Sequence, residues 1–306
     1  MTTSRARAVR FAALIPVILS AGRATASHAQ DTAVVVLVGT GFPRPDPAAS
    51  GPATAVVVGS RVFLFDAGAG IQRALSAARL PINGVTALFV THLHSDHTLG
   101  LPDLILDSWV MGRRTPLAAY GPPGLRAMTA HILAAWAEDL RVRVTGLERE
   151  TPITPQVRVH EIRPGIVYDS GGVKVTAVAV PHGGLRHAFA YRVDAGGRSV
   201  VISGDTRPSP GLERLSAGVD VLVHEVYASE TLRPEPRPGG DVWPLYMRDA
   251  HTSDVELGAI AARARPGILV LTHLIRMGAA DSTLLAGVRR GGFTGRVVVG
   301  RDGDRF

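Results

Sequence analysis

Thr91-His92-Leu93-His94-Ser95-Asp96-His97 puts three imidazoles and a carboxylate within six residues, directly behind an apolar run at 86–90 that reads as a strand. On an irregular turn this spacing sends His92 and His94 to one side and Asp96 and His97 to the other. One loop can then offer ligands to two neighbouring metal ions. The plain alternative is an exposed polar loop that happens to be rich in histidine. It fits poorly, because the chain has only 11 histidines and the HxHxDH order is demanding. Histidine and carboxylate suffice for hard or borderline divalent cations. The chain has no cysteine, which excludes a disulfide framework, a thiolate nucleophile, a thiolate metal site and a lipid anchor on an N-terminal cysteine.

Outward from this loop, short β-branched runs alternate with helix-like stretches. Runs at 33–38, 54–58 and 62–65 are separated by Gly and Pro, as sequential strands are. A helix with Ile71, Leu75 and Ala78 on one side is expected over 68–80, followed by helices over 99–111 and 122–140 with a strand at 117–120 between them. The second half repeats the style, with strands at 173–180, 188–193, 199–202, 219–223, 268–271 and 296–299 and helices at 254–264 and 282–290. Strands outnumber helices early and mix with them later, which indicates layered α/β architecture and not a simple doubly wound sheet. The Gly/Pro-rich 232–240 stretch reads as a surface loop.

The 306 residues carry 33 Lys plus Arg against 26 Asp plus Glu, and this net +7 by itself suggests a phosphate-rich partner. The location of the charge argues otherwise. Residues 1–29 hold Arg5, Arg7, Arg10 and Arg23 and no acid, then an apolar run at 11–19, then small residues ending in Ser27-His28-Ala29. That is the order of a secretory signal peptide. The run is about half of the roughly 20 residues a membrane span needs, and it contains Pro16. The expected organisation is a signal peptide over 1–29, cleaved after Ala29 or secondarily Ala26, and a single domain over 30–306. Without those four arginines, 29 basic residues face 26 acidic ones, a net of +3. No adjacent arginine pair precedes the apolar run, so export by an unfolded-chain route is expected, giving a periplasmic or secreted protein with no stable membrane anchor. A frayed cytosolic N-terminus is the alternative.

The metal loop and the motifs after it resemble the metallo-β-lactamase superfamily, from about Val34 to the C-terminus. Asp66 in Leu64-Phe65-Asp66-Ala67-Gly68, His182 in Val180-Pro181-His182-Gly183, Asp205 in Ser203-Gly204-Asp205-Thr206 and His273 in Leu271-Thr272-His273-Leu274 fall in the family's order. Each ends a predicted strand, where side chains can converge. Singly they are weak, since a lone histidine after a strand is more often structural. The resemblance implies a four-layer αβ/βα sandwich with a dinuclear centre. It assigns His92, His94 and His182 to one metal, Asp96, His97 and His273 to the other, Asp205 to the bridge, and Asp66 to a supporting role behind the loop. Zinc is the first expectation, and manganese or iron suits the same ligands. The nucleophile is then hydroxide supplied at the two metals, with no covalent intermediate.

His224-Glu225-Val226, His251-Thr252-Ser253, Gly39-Thr40-Gly41 and Gly100-Leu101-Pro102 resemble the ribonuclease Z-like branch. There Glu225 would orient His251, and His251 would stabilise or protonate the leaving oxygen. Catalytic roles are therefore expected of Asp96, Glu225 and His251, with a buried, merely structural His251 as the alternative and His224 turned away. One departure from ribonuclease Z matters. Only Asp194-Ala195-Gly196-Gly197-Arg198 joins Val193 to Ser199, where that enzyme commonly carries a basic arm that grips transfer RNA. With Lys174 the single lysine, nucleic acid is not expected as a partner. The layout is similar to exported arylsulfatase-like relatives. The expected activity is hydrolysis of a small anionic ester, a sulfate ester or phosphodiester, by a zinc-dependent enzyme; the oligomeric state is left open, with a homodimer, frequent among relatives, as the candidate. The alternatives are a lactonase of the same superfamily and a catalytically silent metal-binding protein. Stretches 104–116 and 226–250, with Trp109, Trp243 and Tyr246, are the expected cleft walls, Trp109 also suiting the core. Arg186 and His187 are further candidates to line the cleft.

Overall fold

In the computed structural model, which describes Thr2 and residues 32–152 and 156–306, period-two burial builds two sheets back to back. The first holds β1 (Val34–Gly39), β2 (Ala53–Val58), β3 (Arg61–Phe65), β4 (Val85–Phe89), β5 (Leu117–Gly121) and β6 (Val157–Glu161) in that order. The second runs β7 (Gly165–Ser170), β8 (Val173–Ala179), β9 (Phe189–Ala195), β10 (Arg198–Ile202), β11 (Val221–Tyr227), β12 (Ile268–Ile275) and β13 (Arg296–Val299), again with sequential neighbours paired. Each sheet begins antiparallel and continues parallel, the change falling at β3–β4 and at β10–β11. Helices α1 (Ile71–Ala77), α2 (Ser95–Thr98), α3 (Leu101–Val110), α4 (Leu125–Ala135) and α5 (Ala137–Thr145) belong to the first half. The second half carries α6 (Pro210–Leu215), α7 (Trp243–Ala250), α8 (Asp254–Ala264) and α9 (Asp281–Arg290).

Alternation along the strands sorts side chains into three large cores, beside a small cluster of Tyr227, Met247 and Ile275. Phe63 and Phe65 of β3 face Val173, Val175, Tyr191 and Val193 of the second sheet, while Val62 and Leu64 face Leu75, Leu101 and Leu104 of the helices outside. On the far side, Leu269 and Leu271 of β12 pack against Leu257, Ala261, Leu284 and Val288. Apolar material on both faces of both sheets produces four layers, helix–sheet–sheet–helix, as the sequence implied. The central core also feeds the site. Tyr191 packs its ring 5.5 Å from Phe65 and 5.7 Å from Phe89, and its hydroxyl donates to the Val90 carbonyl at 2.7 Å. A residue of the second sheet thus fixes the strand end that launches the metal loop.

Several local expectations change. The helix expected over 122–140 is two helices meeting at Trp136, whose φ of −100° and ψ of 18° break the regular turn. Edge strands β6 and β7 and the short helices α6 and α7 arise where no regular element was expected. The join between β9 and β10 is a tight hairpin, with Gly196 and Gly197 at φ 57° and 73°, the left-handed pair that two-residue hairpins favour. Residues Asp31–Phe306 form one compact unit, and the expected signal segment lies outside the described residues. Among the described residues no helix is long and apolar enough to cross a membrane.

Candidate metal centre

The 91–97 loop leaves β4 and ends in the single turn α2, so Asp96 and His97 sit on a short helix while His94 caps it and His92 lies in the irregular backbone before it. Asp66, just past β3, organises it. Its carboxylate accepts from the Thr91 amide at 2.7 Å, the Thr91 hydroxyl at 2.8 Å and His97 Nδ1 at 2.8 Å. Because the Thr91 hydroxyl proton goes to Asp66, its oxygen is left to accept from His92 Nδ1 at 3.0 Å. His182 Nδ1 donates to the Ala250 carbonyl at 2.7 Å. In all three rings Nδ1 carries the proton, and Nε2 is left with a lone pair aimed inward, the orientation metal-binding imidazoles need.

The remaining contributors arrive through unusual backbone. His273 is the unpaired extra residue of a bulge in β12, since Glu225 pairs with Thr272 and Val226 with Leu274. Its φ of 43° and that of Asp66, 62°, lie in the left-handed region that side-chain-bearing residues avoid. Asp205 follows Gly204 at φ 57°, where a Cβ would stand 2.8 Å from that of Thr91. Only glycine lets these two turns approach so closely.

The expected ligands come together. His94 Nδ1 lies 3.2 Å from His92 Nε2 and 3.0 Å from His182 Nε2. Asp205 lies 3.3 Å from both His97 Nε2 and His273 Nε2, and 3.9 and 3.8 Å from those of His92 and His182. Asp96 is 3.2 Å from His273 Nε2 and 3.5 Å from His97 Nε2. Two ligand groups result, His92 with His94 and His182, and Asp96 with His97, Asp205 and His273, each with its ligand atoms within 4.8 Å of one another.

Their electrostatics fit a cation. Burial holds His92, His94 and His182 below the usual histidine range. Burial also opposes charge on His97, yet Asp205 and Asp66 outweigh it and raise this imidazole well above its usual range. Burial works against the Asp205 carboxylate too, but His273 and His97 keep it well below. A pull for a proton at His97 Nε2 is equally a pull for a divalent ion. His97 Nε2 and Asp205 Oδ1 are buried with no hydrogen-bond partner, a costly arrangement that a bound cation would relieve. The all His/Asp set suits zinc, manganese or iron.

Glu225 is fully buried on β11, where burial and then Asp205 raise its carboxyl well above the usual range. Its Oε1 accepts from the Thr206 and Thr252 amides at 3.1 and 3.0 Å and stands 3.3 Å from His251 Nδ1, which makes no hydrogen bond. The glutamate therefore positions His251 chiefly through the neighbouring Thr252 backbone. His251 follows α7, is kept below the usual histidine range first by burial, and stacks at 19° on His273. His224 points into the sheet, donating to the Glu225 carbonyl at 2.7 Å, and burial lowers it to about 4.

The cleft over the centre has a volume of about 610 Å³. Trp243 and Tyr246 line it, but no residue of 104–116 does, and neither do Arg186 and His187. Trp109 is core, its indole donating to the Thr151 carbonyl at 3.1 Å. The opposite wall is Phe42-Pro43-Arg44 after β1, which sequence reading missed. The Gly39-Thr40-Gly41 motif just before it was the available signal.

A family model for the beta-lactamase superfamily domain matches residues 61–274. The chain is 37% identical over 243 residues to a ribonuclease Z of Mycobacterium sp. (strain KMS), covering 79% of this chain and 84% of the relative. It is 34% identical over 274 residues to a ribonuclease Z of Mycobacterium bovis (strain BCG / Pasteur 1173P2), covering 88% and 95%. Similar solved structures include the metallo-beta-lactamase fold protein YhfI of Bacillus subtilis, with TM-score 0.68, 20% identity and 90% and 99% of the two chains covered. The short form of human tRNase Z gives TM-score 0.67 at 23% identity, covering 89% and 98%. The family match over most of the chain and these relatives place it: the chain belongs to the beta-lactamase superfamily, as a ribonuclease Z-like hydrolase.

Proposed function

We propose that this protein is an exported phosphodiesterase of small anionic esters. The observation that carries the reading is the convergence of seven side chains, His92, His94, Asp96, His97, His182, Asp205 and His273, into two adjoining ligand groups in which His97 Nε2 and Asp205 Oδ1 are buried without a hydrogen-bond partner. These residues would hold two divalent ions, zinc first, and Asp205 lies within reach of both ligand groups. Divalent ions held there would bring the pKa of water down towards about 7 and offset the charge of an anionic ester. The chain's own groups do the rest. Asp66 and Thr91 hold the imidazoles in register, Asp96 and His94 line the cleft floor, and His251, a neutral imidazole, donates its N–H towards the leaving oxygen.

Relatives named ribonuclease Z support the phosphodiester over the sulfate ester, although both are singly charged tetrahedral centres. Their name also favours a second reading, an RNA substrate. The two-residue hairpin between β9 and β10 and the net +3 without residues 1–29 weigh against a long polyanion. Purified protein assayed for metal and then offered a bis-aryl phosphate, an aryl sulfate, a lactone and a 3′-extended transfer RNA tests the choice. We expect two divalent ions per chain and fastest turnover of the bis-aryl phosphate. Good lactone turnover without hydrolysis of either small anionic ester would overturn the reading, and preferential RNA cleavage would replace it with the second. Export rests on the order of residues 1–29. The mature protein is expected to begin at Gln30, and an intact mass retaining those residues after secretion would refute the cleavage.

A further inference from the structure

The cleft walls above the ligands hold an aromatic surface that no ligand role uses. Trp243 and Tyr246, three residues apart on α7 and so on one face, stack with centroids 5.3 Å apart at 28°. The Tyr246 ring meets the His251 ring at 5.7 Å and 74°. Phe42 lines the same cleft, its ring 6.4 Å from that of His273. The aromatic wall therefore starts at the group on the leaving-oxygen side and runs outward. Tyr246 lines the cleft and is 39% exposed, so part of its ring is within reach of a ligand.

At the outer end the wall becomes cationic. Arg237 Nε donates to Glu235 Oε2 at 2.6 Å, and Arg44 pairs with the other oxygen of the same carboxylate. The Arg237 guanidinium also lies 5.3 Å from the Trp243 ring centre. One carboxylate does not neutralise two guanidiniums, so the rim keeps a positive charge. The loop that carries it is closed by its own backbone: the Glu235 amide donates to the Gly240 carbonyl at 2.8 Å and the Gly240 amide to that of Arg237 at 2.9 Å. At Gly240 a Cβ would stand 2.1 Å from the Glu235 carbonyl oxygen, so the tight closure needs glycine there. This is a built wall.

We propose that this wall is a leaving-group subsite that takes a planar aromatic group bearing an anionic substituent at the end remote from the scissile ester. Stacked indole and phenol rings favour a flat partner over a flexible alkyl chain, and a guanidinium fork recognises carboxylate, sulfonate or phosphate. The assignment rests on the reading that His251 faces the leaving oxygen.

Calorimetry of the metal-loaded protein with 6-hydroxynaphthalene-2-sulfonate, under saturating inorganic phosphate to occupy the metal centre, tests the subsite without turnover. We expect saturable binding that weakens about threefold to tenfold in Trp243→Leu, the range for loss of one aromatic partner. Arg237→Gln should weaken the sulfonate similarly and leave uncharged 2-naphthol unaffected. Phosphate titrated alone should bind Trp243→Leu as it binds the unaltered protein, which establishes an intact centre in the variant. Unchanged sulfonate binding in Trp243→Leu, or displacement of the sulfonate by phosphate, would overturn the proposal. Sulfonate binding retained in a protein that hydrolyses no anionic ester supports the subsite and removes only the assigned reaction.

Discussion

Replacing Asp205 with alanine is expected to bring metal content below two ions per chain and to cut kcat/KM by at least a hundredfold to a thousandfold. This is the scale on which removing one preorganised electrostatic partner acts. The expectation follows from position. Asp205 is the one carboxylate that reaches both ligand groups, at 3.3 Å from His97 and His273 and within 3.9 Å of His92 and His182. It is also buried, so no water can take over its charge cheaply. Elemental analysis alongside steady-state kinetics checks both halves of the statement. Full metal content with wild-type turnover would remove Asp205 from the bridge.

Replacing His251 with alanine should behave differently. Metal content is expected to stay at two while kcat falls about a hundredfold to a thousandfold, the usual contribution of one positioned hydrogen-bond donor to a developing oxyanion. The loss should grow as the leaving group becomes a poorer one, because assistance to the departing oxygen then matters more. A purely structural histidine would give a loss independent of the leaving group. The geometry also offers a competing role, since His251 falls into a possible ligand group with His182 and Asp205. Loss of metal from the variant would favour that role over donation to the leaving oxygen. Glu225→Gln keeps the acceptor for the Thr206 and Thr252 amides on Oε1 and should therefore cost much less than Glu225→Ala.

The sandwich and the ligand set were legible in the sequence for different reasons. HxHxDH announces itself by density, and β3, β4 and β12 by uninterrupted apolar runs. His182, Asp205 and His273 are single residues after strands and became readable only through their order relative to one another. What places them was hidden: neither the bulge at His273 nor the left-handed backbone of Asp66 has a composition signal, because sheet and loop packing impose them on residues that would otherwise avoid them. The break at Trp136 contains neither Pro nor Gly, and α7 begins at Trp243-Pro244, past the 232–240 loop, where no element was expected although Pro at a first turn is a helix start. Strands β6 and β7 lie at the sheet ends and are mostly exposed, Val159 being their one buried residue, so their hydrophobic signal is diluted. Phe42 and Arg44 face Trp243 and Arg237 across some 200 positions of sequence, a relation that only the folded chain contains.

The division of ligands between the sheets has a thermodynamic side. His92, His94, Asp96 and His97 stand on the first half, and His182, Asp205 and His273 on the second. An ion seated among them acts as a clasp across the central core. Its occupancy and the integrity of the sandwich then belong to one equilibrium: each site filled at a free ion concentration 100 times its Kd adds about 2.7 kcal/mol to the folded state by mass action. Chelation would lower the melting temperature without altering a single peptide contact, and a cell starved of the ion would hold a protein that is less durable as well as less active.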